Sequence, residues 1–405
     1  MNACQTAKEK RIQTNENISR PVLPGVIYGI TVSVNGKTFD ADALYEYYPN
    51  NIRISASQLS RSFADTDKPF SVVTDETGER FKLIVNGKRV RYPVTAAENG
   101  SGERDIFLSP ADLAMALDCG ISAEGDVISF QTGKRFFPDL TALEKDGFFQ
   151  NLNALSVTDL TEGIVYYEKD ASLPFPIASI SKLMTVFIVL DEIGSGRMRM
   201  TDVLPVSENA EALSVGEDAV IRLYAGKRIP VSELLYATLV CSSNECALVL
   251  AENIAGSEAD FVKRMREKAA ALGMKTAEFV NCHGLPFYTK SWAAAKIQNR
   301  VSARDLVTLT EALTEKHPEI FTFTSAKEAF LPSLGRTVRS TNPLLYNLEE
   351  VNGFKTGSTN RAGSCLITTV QKNGKTGAVV LLGAESSEEC FRKSEIAVRY
   401  LLNVM

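Results

Sequence analysis

"PIASISKLMTVFIVLDEIG", residues 176–194, decides how the rest of the chain is read. From Leu183 to Ile193 apolar residues surround what is expected to be a helix beginning at Ser179, and Gly194 is its expected stop. A helix apolar all round is buried. At roughly 15 residues it falls short of the about 20 that a bilayer requires, so it is expected to be the central helix of a soluble domain. Lys182 stands at its mouth, where a buried ammonium is costly unless it finds a partner or gives up its proton. Ser179 lies three residues earlier, on the same helix face, so Ser179 and Lys182 are a candidate nucleophile and base. A capping serine followed by a solvent-seeking lysine has the same spelling. Such spacings occur about once or twice by chance in a chain of this size, so the remaining sequence must decide.

The 405 residues are enough for two or three domains, and 44% of them are apolar. Lys plus Arg number 44 against 49 Asp plus Glu, a net charge of -5 with no basic run. Nucleic acid and anionic membrane surfaces are therefore excluded as expected partners. Only two histidines occur, His283 and His317, so a lysine base is more natural than a Ser-His-Asp arrangement. Seven cysteines without a C-x-x-C pair argue against a disulfide framework or a structural zinc site, and neither metal nor cofactor is expected. Cys241 and Cys246 bracket a loop of interest, but a bridge between them is not the favoured reading. The opening "MNACQTAKEKRIQTNENISRP" has no secretory apolar core, so the protein is expected to be cytoplasmic or to have lost an export segment.

The organisation follows from hydrophobic patterning. Residues 1–22 are expected to be flexible, 23–136 a smaller β-rich α+β domain, 137–150 a linker, and 151–405 a second α+β domain. In the first domain "ITVSVNGKTF" and "FKLIVNGKRV" each place Asn-Gly between alternating strands, a hairpin signal repeated as in a duplication. "RISASQLSRSF" and "FLSPADLAMAL" are expected helices with serine caps. In the second domain, strands at both ends with helices between predict a sheet that joins its first and last parts.

Three short elements occur in this second domain in a fixed order. Ser179-x-x-Lys182 is followed, 63 residues after Ser179, by Ser242-Ser243-Asn244 and, 176 residues after it, by Lys355-Thr356-Gly357. Here the sequence resembles the penicillin-binding proteins and serine β-lactamases, whose signature is S-x-x-K, S-x-N and K-T-G. "LVCSSNECALVLAE", "FVNCHGLP", "VSARDL", "STNPLL" and "VNGFKTGSTNRAGSCL" narrow the resemblance to the low-molecular-weight D-alanyl-D-alanine carboxypeptidases, over about residues 151–405. The resemblance implies a β-lactamase/DD-peptidase-like fold, an antiparallel sheet flanked by helices plus a helical lobe. A second Lys-Thr-Gly at Lys375 follows Asn373-Gly374 and reads as a hairpin turn, although spacing alone does not exclude it.

A serine hydroxyl is a weak nucleophile and needs a base, and a lysine serves only when neutral. Desolvation, the helix dipole and a second cation at Lys355 are all expected to lower the pKa of Lys182. The resemblance implies that Ser242 relays a proton to the leaving amine and that Asn244 orients Lys182 and the substrate amide. Lys355 and Thr356 suit a substrate carboxylate. Gly357 is expected to clear space for substrate along the strand edge. By the same resemblance, the backbone N–H groups of Ser179 and Ser358 form the oxyanion hole. Asp305 reads as part of a capping box, and His283 is expected to brace a loop.

The implied partners are peptidoglycan stem peptides ending in D-Ala-D-Ala, with β-lactam antibiotics as covalent inhibitors, and the implied location is extracytoplasmic. A serine β-lactamase shares the acylation chemistry, but the class A element E-x-x-L-N is not met around Glu278 and Asn281. A non-catalytic wall-peptide sensor is the other alternative. The first domain resembles the N-terminal domain of copper amine oxidases and is expected to be a spacer or wall-binding module. The closing helix lacks the family's amphipathic anchor, so any attachment is expected through the N-terminal side, with Cys4 as a lipid-modification candidate.

Overall fold

The computed structural model describes residues 27–45, 52–74, 81–85, 88–90, 95–124, 127–145, 147–286 and 297–405. The expected flexible segment 1–22, Cys4 and the second Asn-Gly turn at 86–87 lie outside the described residues. The chain divides into two units, residues 1–148 and 149–405.

The first unit opens with a hairpin of β1 (Ile27–Val34) and β2 (Lys37–Tyr45). Its turn residues Asn35 and Gly36 both have positive φ, 51° and 84°, the geometry that matches strand twist. There follow β3 (Ile52–Ser55), α1 (Ala56–Phe63), β4 (Phe70–Thr74), β5 (Phe81–Val85), β6 (Lys88–Val90), β7 (Thr95–Glu98), β8 (Arg104–Leu108), α2 (Pro110–Leu117), β9 (Gly120–Glu124) and β10 (Val127–Gln131). One sheet runs β7-β8-β3-β2-β1-β10-β9 and a second runs β4-β5-β6. The strands flanking the two Asn-Gly pairs are therefore antiparallel neighbours in different sheets, β1 with β2 in the larger and β5 with β6 in the smaller.

Leu59 and Phe63 on the buried face of α1 fix the core of this unit, where Phe63 meets Phe70 and Phe130 edge-on at 5.6 and 5.4 Å between ring centres. Ser55 caps α1 by accepting the Gln58 N–H, and its hydroxyl donates to the buried Asp105 carboxylate. Ser55→Ala removes a cap and one of the two hydroxyls that donate to Asp105 Oδ2, the Ser57 hydroxyl remaining at 2.6 Å, so a loss of about 1 kcal/mol in urea denaturation is expected. An unchanged midpoint would show that the cap is redundant. The stretch expected as a linker instead carries a helix, α3 (Leu140–Lys145). Leu140 and Phe149 within it are buried, which a solvated linker does not allow.

In the second unit β11 (Ala154–Asp159) and β12 (Ile164–Lys169) precede the three short pairs β13 (Pro174–Pro176) with β16 (Arg300–Ser302), β14 (Val203–Pro205) with β15 (Arg228–Pro230), and β17 (Glu328–Leu331) with β18 (Arg336–Arg339). The unit ends with β19 (Val351–Thr359), β20 (Gly363–Lys372) and β21 (Lys375–Ala384). The main sheet runs β12-β11-β21-β20-β19, antiparallel throughout, so the ends of the unit meet where β11 pairs with β21. Its helices are α4 (Lys182–Gly194), α5 (Glu208–Leu213), α6 (Val231–Val240), α7 (Asn244–Ala255), α8 (Glu258–Ala271), α9 (Ala303–Lys316), α10 (Ile320–Thr324), α11 (Leu344–Asn347) and α12 (Ser387–Val404).

Both α9 and α12 pack on β21, while α4 is surrounded by α6, α7, α8 and α9, as its all-apolar surface requires. Its far end is pinned electrostatically. The Asp191 carboxylate accepts from Lys268, Lys316 and His317, each at 2.7 Å. The fold is α+β, a sheet flanked by helices beside a helical lobe built around α4. Among the described residues no helix is long and apolar enough to cross a membrane.

Candidate active site

Ser179 does not begin the central helix. It lies in a 3-10 turn, Ala178–Ser181, and α4 starts at Lys182. The turn is tightly made: Ala178 has φ 46°, in the left-handed region, and the Ser181 hydroxyl donates to the Ala178 carbonyl at 2.7 Å. The i, i+3 spacing still brings the pair together, with Lys182 Nζ 2.7 Å from Ser179 Oγ.

Lys182 is fully buried, and its Nζ also lies 2.7 Å from Asn244 Oδ1 and 2.7 Å from the His283 carbonyl oxygen. Those two oxygens can only accept. A neutral amine therefore spends both of its hydrogens on Asn244 and His283, and its lone pair is left for the Ser179 hydroxyl to donate to. Burial drives the Lys182 pKa down to about 7, against the opposing influence of Cys282, Glu245 and Cys241. Repulsion between the two lysines falls on Lys355 instead, whose amine is held well below its ordinary value first by burial and then by Lys182.

Ser242 sits between α6 and α7 with φ 64°, and Ser243 caps α7 by accepting the Cys246 N–H at 3.1 Å. That cap turns Asn244 inward, where its Nδ2 donates to the Asp218 carbonyl at 2.9 Å. Lys355, on the edge strand β19, donates to Ser242 Oγ at 2.8 Å and to the Thr356 carbonyl at 2.9 Å. The Thr356 hydroxyl lies 2.5 Å from that of Thr341, and Ser358 is exposed.

Gly357 has a further reason to be glycine besides the one expected. A Cβ there would lie 2.9 Å from the Ser179 nitrogen and 3.0 Å from the Ile177 carbonyl oxygen, so the serine-bearing turn itself needs the space.

His283 braces its loop as expected, and what sequence reasoning missed are its backbone carbonyl and the buried Asn281. His283 contributes its carbonyl. Its ring accepts the Leu285 N–H at Nδ1 and is kept neutral, its pKa lowered to about 3 by burial and by Lys182. Buried Asn281 shapes this loop by accepting the Gly284 N–H at 2.6 Å, and Asn299 bonds to Asn281 in turn. The one sequence signal is the cluster Asn281, His283 and Gly284 in an irregular stretch between helices. Asp305 belongs to the scaffold: Ser302 caps α9 by accepting the Asp305 N–H, and the Asp305 carboxylate accepts from Thr276. Lys375 is in the β20-β21 hairpin, 3.1 Å from Glu162, away from the cluster. Cys241 and Cys246 are both free thiols. Among the described residues no group of three or more His, Cys, Asp or Glu is placed to hold a metal.

The family model described as D-alanyl-D-alanine carboxypeptidase, peptidase S11, matches residues 151–386, more than half of the chain. The chain belongs to this family. The match excludes the first unit and covers the sheet, α4 and all three motif elements. Among curated relatives, the D-alanyl-D-alanine carboxypeptidase DacF of Bacillus subtilis is 30% identical over 230 residues, 56% of this chain and 56% of that protein. A D-alanyl-D-alanine endopeptidase of Pseudomonas aeruginosa is 34% identical over 235 residues, 56% of this chain and 70% of that protein. The chain thus spans little more than half the length of the first relative.

Two solved structures carry the fold. A peptidoglycan synthesis regulatory factor (PBP3) from Streptococcus pneumoniae is 30% identical with a TM-score of 0.58, covering 62% of this chain and 72% of that one. Penicillin-binding protein D2 from Listeria monocytogenes, in its ampicillin-bound form, is 30% identical with a TM-score of 0.54, covering 62% of this chain and 97% of that one. The α+β fold of the second unit is that of the penicillin-binding proteins.

Proposed function

We propose that the second unit is a serine D-alanyl-D-alanine carboxypeptidase, acting outside the cytoplasmic membrane on peptidoglycan stem peptides and acylated by β-lactams on Ser179. The observation that carries this reading is the environment of Lys182: its Nζ lies 2.7 Å from two obligate acceptors and 2.7 Å from Ser179 Oγ, so in the neutral form its two hydrogens go to the acceptors and its lone pair is left for the serine hydroxyl. Ser179 Oγ attacks the carbonyl carbon of the penultimate D-Ala while its proton passes to Lys182 Nζ. The N–H groups of Ser179 and Ser358 receive the negative charge developing on the carbonyl oxygen. Ser242, hydrogen-bonded to Lys355, relays the proton taken up by Lys182 to the nitrogen of the departing D-Ala as the C–N bond breaks, and water, giving one proton to the neutral Lys182 and through it back to Ser179 Oγ, then breaks the ester and releases the shortened peptide.

Lys355 and Thr356 receive the terminal carboxylate. In the resting site Lys355 resists protonation, but an arriving carboxylate favours the ammonium, so binding and charging of Lys355 are coupled. A ligand without that carboxylate has no means of charging it. The first unit is assigned to spacing or wall attachment.

The experiment is labelling with a fluorescent penicillin, peptide mapping of the adduct, and D-Ala release from a pentapeptide and from a cross-linked dimer. A lasting adduct on Ser179 with D-Ala release from the pentapeptide supports the reading. Rapid loss of the label would instead indicate a β-lactamase, and absence of label a binding protein. Because only neutral Lys182 accepts the proton and its pKa is about 7, the acylation rate should fall about tenfold per pH unit below 7. A flat profile from pH 5 to 8 would remove Lys182 as the base.

A further inference from the structure

Beside Asn244 in the first turn of α7 stands Glu245, whose side chain has no exposed surface. Its Oε1 accepts the N–H of Val220 at 3.2 Å and the N–H of Ile221, while its Oε2 is buried with no hydrogen-bond partner among the described residues. A buried carboxylate oxygen without a partner is costly, and packing alone does not account for it. The segment it holds is the one that holds Asn244. Asp218, two residues before Val220, supplies the carbonyl to which Asn244 Nδ2 donates at 2.9 Å. Two consecutive side chains of α7 thus grip one loop, and the loop fixes the amide that touches Lys182.

We propose that Glu245 is a positioning residue of this site: its carboxylate fixes residues 218–221, the Asp218 carbonyl then fixes Asn244, and Asn244 turns the Lys182 amine toward Ser179. The proposal rests on the reading of Ser179 and Lys182 as nucleophile and base. A second effect accompanies the first. Glu245 is a negative charge that raises the proton affinity of Lys182 against the effect of burial. Among the described residues, the other titratable groups around this cluster include Asp218 in the gripped loop, Lys355 on β19, Cys241, Cys246, Cys282 and the neutral His283, with Glu258 of α8 beside Cys282 and Arg336 of β18 toward Cys241 and Cys246. The alternative is a carboxylate that merely favours the start of α7 through the helix dipole.

Two variants of the full chain separate these readings. Glu245→Gln keeps a carbonyl acceptor for the Val220 and Ile221 N–H groups and removes only the charge, whereas Glu245→Ala removes both. Penicillin acylation is measured from pH 5 to 9. Alongside it, the Lys182 titration is followed by carbon NMR at Cε, assigned with Lys182→Met, and amide hydrogen exchange is followed at Val220 and Ile221. In Glu245→Ala the plateau rate should fall tenfold or more and both amides should exchange faster. In Glu245→Gln the plateau should stay within about threefold, while the acid limb and the Lys182 titration move to lower pH, because a lysine that loses a negative neighbour binds its proton less tightly. A folded alanine variant with a normal plateau, or a glutamine variant as slow as alanine with Lys182 titrating as before, would overturn the proposal. Should the wild-type protein form no adduct at all, the functional reading falls, and the lysine titration and amide exchange still decide the role of Glu245.

Discussion

Ser179→Ala should abolish covalent penicillin labelling and lower D-Ala release by on the order of 10⁴-fold or more, the usual scale when a nucleophile is deleted from a unit that works as one. The structure makes this a clean substitution. Ser179 is half-buried, and its hydroxyl is held by Lys182 Nζ, which keeps its contacts with Asn244 and His283 when the hydroxyl is gone. The fold does not depend on that oxygen, so the thermal midpoint should move by no more than the few degrees that about 1 kcal/mol produces. Penicillin should still bind reversibly, because Lys355 and Thr356 remain in place. A stable adduct on the alanine variant would mean that another serine is attacked, with Ser242 the first to map, and the assignment of the nucleophile would be withdrawn.

Gly284→Ala should be the most damaging single-methyl change in the second unit. The added Cβ would lie 2.0 Å from the Ala178 carbonyl oxygen and 2.4 Å from its carbon, and Gly284 has φ 93°, a conformation that L side chains avoid. Both neighbours are backbone, so no rotamer relieves the clash. Overpacking and left-handed strain each cost about 1–3 kcal/mol, so a loss of roughly 3 kcal/mol or more is expected in urea denaturation. The displaced element is the turn that carries Ser179. A shift of about 1 Å at a reacting group typically costs about a hundredfold, so acylation should fall by that order in whatever fraction remains folded. Gly256→Ala is the control. Gly256 ends α7 with φ 81° and nothing within 4 Å of its added methyl, so it registers the conformational strain without the clash. Equal losses in the two variants would show that contact with the Ser179 turn does not matter.

These contacts mark where sequence reasoning succeeds and where it stops. Ser179 and Lys182 are three residues apart, a separation that local backbone geometry brings within bonding distance whether the turn is 3-10 or α. The apolar surface of α4 demands burial, and four helices supply it. Asn35-Gly36 specifies its hairpin because both turn residues need positive φ. Other expectations failed for non-local reasons. The 137–150 stretch is polar enough to pass for a linker until its Phe and Leu side chains find cores to enter. The pressure of the Ser179 turn on β19 at Gly357 went unread because it is a contact between segments far apart in sequence. The depressed proton affinity of Lys182 follows from burial, and the repulsion expected to help is registered at Lys355.

Taken alone, the sequence determined what the chain could do by itself: the helix that must be buried, the Asn35-Gly36 hairpin, the Ser55 cap of α1 though not a side-chain cap by Ser109 on α2, and the adjacency of serine and lysine. Order and spelling of Ser-x-x-Lys, Ser-x-Asn and Lys-Thr-Gly further named the family, since the flanks matched as well as the motifs. Only the tertiary structure decided which atoms complete the site. The His283 carbonyl, the Asp218 carbonyl that steadies Asn244, and the Glu245 carboxylate beneath it are drawn from separate loops and helices. Backbone carbonyls carry no residue identity, and the direction of a lone pair depends on two acceptors and one hydroxyl meeting at one nitrogen. Side-chain spelling records neither, because both arise only when distant segments pack.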